Sequence, residues 1–272
     1  MPASLAAIVA ATRQHIAHRS TANGGGLDLL ALERAAGKHT PRRFRDNLHR
    51  VSREGIAVIA ELKKASPSKG LIRADFRPSE LARDLEAAGA AALSVLTDQD
   101  FFQGSLDYLR EASSSTSVPC LRKDFIVDES QIVEARANCA DAVLLIVAAL
   151  DQKELVSLSA CARSWELDVL CEAHDEEELQ RALDAGCDLI GINSRDLRTF
   201  EVKLETALRL AEKIPAGCLS VAESGIQSGA DLAQLRAAGY DAFLIGESLM
   251  KAKRPGEALA QLIDEAKMAI GK

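Results

Sequence analysis

The sequence predicts an α/β protein, a (β/α)8 TIM barrel preceded by an N-terminal helical extension. Three observations lead there. From residue 57 onward, eight short apolar runs alternate with eight segments of helical period. The runs are continuously apolar instead of alternating, which is the pattern of strands buried on both faces of a parallel sheet. A weak internal repeat marks several passages from helix end to strand: AAGAAALSV (87–95), NCADAVLLI (138–146), DAGCDLIGI (184–192) and AAGYDAFLI (237–245). Eight βα units in roughly 200 residues suit a closed barrel. An open doubly wound sheet, the runner-up, usually carries a glycine-rich turn after its first strand. None follows the run 57–64 here.

Residues 1–50 stand outside the repeat. They read as one or two helices around a flexible Asn23-Gly24-Gly25-Gly26 break, then a segment from Arg42 to Arg50. About 50 residues bury little core alone, so this part is expected to be an extension packed on the barrel and not a domain. The apolar run 5–11 has no basic stretch before it, and Arg13, His15, His18 and Arg19 follow. That order fits an amphipathic helix better than a signal peptide. The barrel is expected over 51–272, with strands at 57–64, 91–98, 118–125, 142–150, 168–174, 189–197, 218–226 and 242–250. Crossover helices show apolar residues at helical spacing, as in Leu81, Leu85, Ala88 and in Leu179, Leu183. Gly89, Gly186 and Gly239 fit left-handed C-caps at the ends of those helices.

Composition narrows the function classes. With 33 Lys+Arg against 40 Asp+Glu the formal charge is -7, and the densest basic stretch is Arg42, Arg43, Arg45. That leaves no basic face for nucleic acid. No apolar run approaches the roughly 18 to 20 residues that span a bilayer, so no membrane partner and a cytoplasmic location are expected. The chain is 47% hydrophobic with 4% aromatics, an aliphatic core, and disorder is excluded. Six cysteines without a CxxC read as reduced core thiols. Five histidines show no ligand spacing, and GxSxG, P-loop and GxGxxG signatures are absent, so neither metal nor cofactor is expected. His174 reads as a loop residue.

In a barrel, chemistry gathers at the C-terminal strand ends. The first expected strand ends in Glu61-Leu62-Lys63, and residues two apart share a side, so Glu61 and Lys63 can both face the mouth. The third aims Lys123 and Phe125 together, the fifth supplies Glu172, and the sixth supplies Asn193 and Arg195. Two lysines and two glutamates converging on one mouth shift one another's proton affinity and make acid and base roles available. The last two strands end in Ser224-Gly225 and Gly246-Glu247-Ser248, where barrels commonly build a phosphate site from backbone N–H groups.

These strings resemble a known family. IAELKKASPSKG (59–70) is similar to the first strand and loop of the indole-3-glycerol-phosphate synthases of the tryptophan pathway. The likeness continues through FFQGS (101–105), LRKDFIV (121–127), GINSRDL (191–197), AESGI (222–226) and FLIG (243–246), and covers residues 56–251. Residues 1–50 match the family's extension only in placement and helical character. Glu247 follows Gly246 where some relatives have Ser, so the side-chain contact to phosphate is expected to be missing there and the backbone contacts kept. The chain stops after an expected eighth helix at 255–269, so a monofunctional enzyme without a fused isomerase domain is expected.

The resemblance implies a carboxy-lyase that closes a ring. It converts 1-(2-carboxyphenylamino)-1-deoxyribulose 5-phosphate into indole-3-glycerol phosphate, carbon dioxide and water. It also implies that Lys123 and Lys63 share the acid roles, that Glu172 is the base, and that Glu61 and Asn193 orient these groups and the hydroxyls. Arg195 and Ser66 help hold substrate or loop, while Ser224, Gly225 and Gly246 cradle phosphate. The aromatic ring needs apolar walls, for which Phe102, Phe125 and Leu244 are candidates. Glu223 is either a further site carboxylate or, by strand alternation, a residue turned to the back. Two other readings use the same parts: a Schiff-base phosphosugar aldolase with Lys63 or Lys123 as nucleophile, and a catalytically silent barrel that binds a phosphosugar or a partner enzyme.

Overall fold

The computed structural model describes residues 4–21, 28–196 and 201–271, so the break at 23–26 and Leu197, the last residue of the expected strand 189–197, lie outside it. Three helices come first: α1 (Leu5–Thr21), α2 (Leu29–Ala36) and α3 (Phe44–Glu54). Strand β1 (Ala57–Leu62) leads into a small hairpin of β2 (Ala65–Ser66) and β3 (Gly70–Leu71), then α4 (Pro78–Ala87). From there β4 (Ala92–Leu96), α5 (Leu106–Ser114), β5 (Cys120–Lys123), α6 (Glu129–Ala137), β6 (Ala142–Ile146) and α7 (Gln152–Ser164) alternate. The second half repeats the scheme with β7 (Asp168–Ala173), α8 (Glu176–Asp184), β8 (Leu189–Asn193), α9 (Leu204–Ala211), β9 (Leu219–Glu223), α10 (Gly229–Ala237) and β10 (Ala242–Ile245). A short α11 (Glu247–Lys251) and the long α12 (Pro255–Ile270) complete it. The eight barrel strands close in sequence order, every pair parallel, and β10 returns to β1 with Ala57 opposite Ala242. Asp128, Asp151, Asp175 and Ser228 start four of the helices by accepting first-turn backbone N–H groups.

The expected strands were too long at their C-terminal ends, and the physical reason is instructive. The run 142–150 leaves the ladder after Ile146 and turns through a 3-10 segment at Val147–Ala149. The run 242–250 ends at Ile245, because Glu247–Lys251 is helical and buries Leu249 and Met250 from a helix. Continuous apolarity records burial on all sides and does not tell strand from short helix.

Two packed layers follow from strand alternation. Ala57, Ile59, Leu121, Leu170, Leu189, Leu219, Val221 and Ala242 fill the barrel interior, and Phe44 and Leu48 of α3, both fully buried, join them. Val58, Ala60, Leu62, Leu93 and Val95 face outward and pack against Leu81, Leu85 and Leu109 of the surrounding helices. The N-terminal segment is tied on by ions. Arg42 donates to the buried Asp141 at 2.6 and 2.9 Å and to the carbonyls of Ser113 and Thr116, and Arg136 donates to the carbonyls of Ala36 and His39. Burial alone would push the Asp141 carboxyl up, but hydrogen bonds from His39 and Arg42 hold it below its ordinary value. No helix among the described residues is long and apolar enough to cross a membrane.

Gly89, Gly186 and Gly239 take the expected left-handed conformation, with φ of 95°, 74° and 109°. At the same place in the repeat Cys139 has φ 64°. A side chain in that region costs about 1–2 kcal/mol, and glycine gives back part of the gain through its freer unfolded chain. Cys139→Gly is therefore expected to stabilise the protein by about 0.5 kcal/mol, a rise in Tm of about 2 °C in thermal unfolding. A lowered Tm would mean that the Cys139 side chain contributes more packing than its backbone costs.

Candidate active site

The alternation that fills the interior also selects the residues that reach the mouth. Glu61 lies two beyond Ile59, Lys123 two beyond Leu121, Glu172 two beyond Leu170, and Glu223 two beyond Val221, each continuing an inward-facing set. All the residues singled out from the sequence line one cavity of about 740 Å³: Glu61, Lys63, Ser66, Phe102, Lys123, Phe125, Glu172, Asn193, Arg195, Glu223, Ser224, Gly225, Leu244, Gly246 and Glu247. Glu223, left open between front and back, faces the front.

The charges form two clusters. Lys63 Nζ donates to Glu61 Oε1 at 2.6 Å. Lys123 Nζ donates to Glu172 Oε2 at 3.0 Å and to Glu223 Oε2 at 2.6 Å, with both carboxylates almost fully buried. Burial by itself would lower the Lys123 ammonium, yet the negative field of Glu172, Glu223 and Glu61 raises it above the usual lysine range. The two glutamates are pushed apart. Burial raises both, but Lys123 and then His174 hold Glu172 well below the ordinary carboxylate range. Glu223 is pushed up to about 8 by burial and by the neighbouring Glu172 charge, against the pull of Lys123. The two carboxyls thus share one ammonium, and Glu172 holds its charge the more firmly of the two.

Two glycines make room for this arrangement. A Cβ on Gly246 would collide with the Glu61 carboxylate and come within 2.9 Å of its Cβ, and one on Gly191 would run into the Glu223 carboxylate. Gly246 therefore packs against Glu61, and a Gly246→Val change disturbs the Glu61–Lys63 pair as well as any anion nearby. Ser224 and Gly225 are consecutive left-handed residues, with φ of 65° and 86°. Successive turns of this kind can present backbone N–H groups to an anion.

The apolar side of the cavity holds Phe102 and Phe125, ring centroids 6.1 Å apart, together with Leu244. The Arg195 backbone N–H donates to Asn193 Oδ1, and the Arg195 guanidinium lies 3.7 Å from Glu247 Oε2. Lys251 donates to Glu247 Oε1 at 2.5 Å and outweighs burial, so the Glu247 carboxyl sits below its ordinary value.

Sequence reasoning missed three features. Leu5 and Ile8 of α1 line the cavity, a contribution that a helix with little motif content does not announce. Ser248, expected at the phosphate end of the barrel for its backbone alone, lines the cavity, and its hydroxyl, like that of Ser66, is buried without a hydrogen-bond partner. His174, read as a loop residue, is buried between two carboxylates: Nδ1 lies 2.9 Å from Glu178 Oε2 and Nε2 lies 3.4 Å from Glu172 Oε1. Its spacing from Glu178 across a strand end and a helix start was the one signal available.

The fold is widely shared. A mandelate oxidase mutant superposes with a TM-score of 0.62 at 18% identity, covering 89% of this chain and 94% of the other. A thiamine phosphate pyrophosphorylase from Pyrococcus furiosus gives 0.60 at 16% identity, covering 81% of this chain and all of the other. Such likenesses speak to architecture alone. The sequence is far more specific. It is 56% identical to the indole-3-glycerol phosphate synthase of Koribacter versatilis over 263 residues, 97% of this chain and 100% of that protein. It is also 56% identical over 209 residues to the enzyme of that name from Polaromonas naphthalenivorans, 77% of this chain and 80% of the other. The model of that family matches residues 5–262, and the chain belongs to the indole-3-glycerol phosphate synthase family.

Proposed function

We propose that the cavity converts 1-(2-carboxyphenylamino)-1-deoxyribulose 5-phosphate into indole-3-glycerol phosphate by general acid and base catalysis. The observation that carries the reading is Lys123 Nζ held between Glu172 and Glu223 at the cavity floor. Attack of the ring carbon on the ketone puts negative charge on the ketone oxygen, and an ammonium that keeps its proton at working pH can deliver it to that alkoxide. Loss of carbon dioxide then restores the aromatic ring. Departure of the resulting hydroxyl as water needs a second proton donor, and removal of the amine proton needs a base. We assign the two donations to Lys123 and Lys63 and the base to Glu172. Glu61 holds the Lys63 ammonium, and Phe102, Phe125 and Leu244 offer the apolar walls an aryl ring needs.

The phosphate is assigned to the Ser224-Gly225 and Gly246 backbone with the unpartnered Ser248 hydroxyl. An ionised Glu247 side chain repels a phosphate dianion, so its share is the backbone N–H. Asn193, Arg195 and Ser66 are assigned to the substrate's hydroxyls and carboxylate. The raised Lys123 argues against that residue as the nucleophile of the aldolase alternative, since a Schiff-base lysine must shed its proton.

The test is incubation of the purified protein with the carboxyphenylamino-deoxyribulose phosphate while following indole fluorescence. No signal overturns the reading, and a borohydride-trapped lysine adduct would favour the aldolase. Inorganic phosphate at tens of millimolar is expected to raise the apparent KM without changing kcat. Ser248→Ala, which removes a hydrogen bond to a charged group worth about 1.5–3 kcal/mol, is expected to raise KM roughly tenfold. Indifference to both changes would move the phosphate elsewhere.

A further inference from the structure

One buried group is not used by the chemistry above, although it touches the base. His174 follows β7 and is only 13% exposed at its side chain. Its ring is fixed from behind: Glu178 Oε2, in the first turn of α8, accepts the His174 backbone N–H at 2.8 Å and lies 2.9 Å from Nδ1. A carboxylate at that distance sets Nδ1 as the donor. In front, Nε2 lies 3.4 Å from Glu172 Oε1, while the other oxygen of Glu172 accepts from Lys123. One oxygen of the Glu172 carboxylate thus takes a hydrogen bond from Lys123, while the other has the buried His174 Nε2, itself without a hydrogen-bond partner, within ion-pair distance.

We propose that His174 is a positioning residue that aims the Glu172 carboxylate at the reacting centre and keeps it charged by facing it with a cation locked in place by Glu178. The inference rests on the reading of Glu172 as the base. The charged groups around Glu172 come from three directions: Lys123 on β5, Glu223 on β9, and His174 at the end of its own strand with Glu178 behind it on α8. Of these, Glu223 opposes the charge on Glu172 and the two cations favour it. Burial alone would lower the imidazole, but Glu172 and Glu178 raise it to about 10, so the cation persists through the neutral range. Without it, the field of Lys123 is divided between two carboxylates, and Glu172 keeps its proton to a higher pH.

The expected sign follows from the role. A base works only when deprotonated, so activity fails as pH falls through its titration, and losing a nearby cation moves that failure upward. His174→Gln, which removes the charge and keeps a polar side chain, is expected to lower kcat about tenfold and leave KM within about twofold. The acid limb of the kcat profile should move up by about one pH unit, since a neighbouring opposite charge is worth 1–3 units. Glu178→Gln should move the limb the same way by less, and it decides the matter if His174→Gln does not fold. In the unsubstituted protein the His174 ring nitrogens should titrate by NMR well above the usual histidine range. An acid limb at its original pH in both variants overturns the inference. The assignment of Glu172 is judged separately: full activity of Glu172→Gln removes the base itself, whereas an inactive Glu172→Gln beside an unmoved limb removes His174 alone.

Discussion

Lys123→Ala is expected to lower kcat by 10²-fold or more, within the 10² to 10⁴ range of general acid catalysis, while KM changes little. The asymmetry follows from what the ammonium does. Phe102, Leu244, the backbone around Ser224-Gly225 and Gly246, and the groups at Asn193 and Arg195 come from other segments, Phe125 keeps its ring two residues beyond the substitution, and all of them remain to bind substrate. What the variant loses is the ammonium assigned to neutralise the developing alkoxide. The variant also leaves Glu172 and Glu223 buried without the ammonium between them. Its carboxyls should bind protons more tightly than in the parent, and its stability relative to the parent should fall as pH rises. Circular dichroism at pH 6 and pH 9 separates this from loss of catalysis. A kcat equal to the parent's would remove Lys123 from the chemistry.

The second large effect is that of Glu172→Gln, where the amide is nearly isosteric and the fold should survive. Turnover is expected to fall by about 10²-fold or more, because an amide cannot take the proton. A stability signature accompanies it. Glu172 is held below its ordinary value in the folded protein, so its ionised form stabilises the fold above the unfolded carboxyl pKa, and that contribution is lost as pH falls through the folded value. On acidification below about pH 5 the Tm of the parent should fall faster than that of the variant, as Glu172 takes up its proton. Parent-like turnover, or a Tm difference indifferent to pH, would reduce Glu172 to a bystander.

Much of this was legible in the sequence, for reasons that can be located. Period-two alternation fixes which strand-end residues face inward, so Glu61, Lys63, Lys123 and Glu172 could be grouped before any coordinates. Continuous apolar runs give the parallel sheet, and their alternation with eight segments of helical period gives its count. What stayed hidden depends on contacts between distant segments or on the competition between two regular structures. The apolar stretch at 242–250 carries no mark that separates strand from the α11 helix. The orientation of Glu223 follows from the register of β9, which the isolated string AESGI leaves undetermined by one residue. His174 was dismissed because a lone histidine after a strand has no pattern, and its meaning comes from Glu178 and Glu172 meeting it in space. The cavity wall offered by Leu5 and Ile8 is likewise set by how α1 lies across the barrel.

Gly246 against Glu61 has a consequence for how activity can arise during synthesis. Glu61 comes from the first barrel strand and Gly246 from just beyond the last, across the seam where β10 returns to β1. Until that final strand has emerged and closed, Glu61 and the lysine it holds lack one wall of their pocket, and the Ser224 and Gly246 ends cannot be brought beside them. A nascent chain is therefore inert however much of its barrel has formed. Closing a loop of that span is among the costlier long-range events in folding. The first turnover of each molecule is gated by the joining of its two ends, and a split gene encoding the two halves would yield activity only through reassembly of both seams.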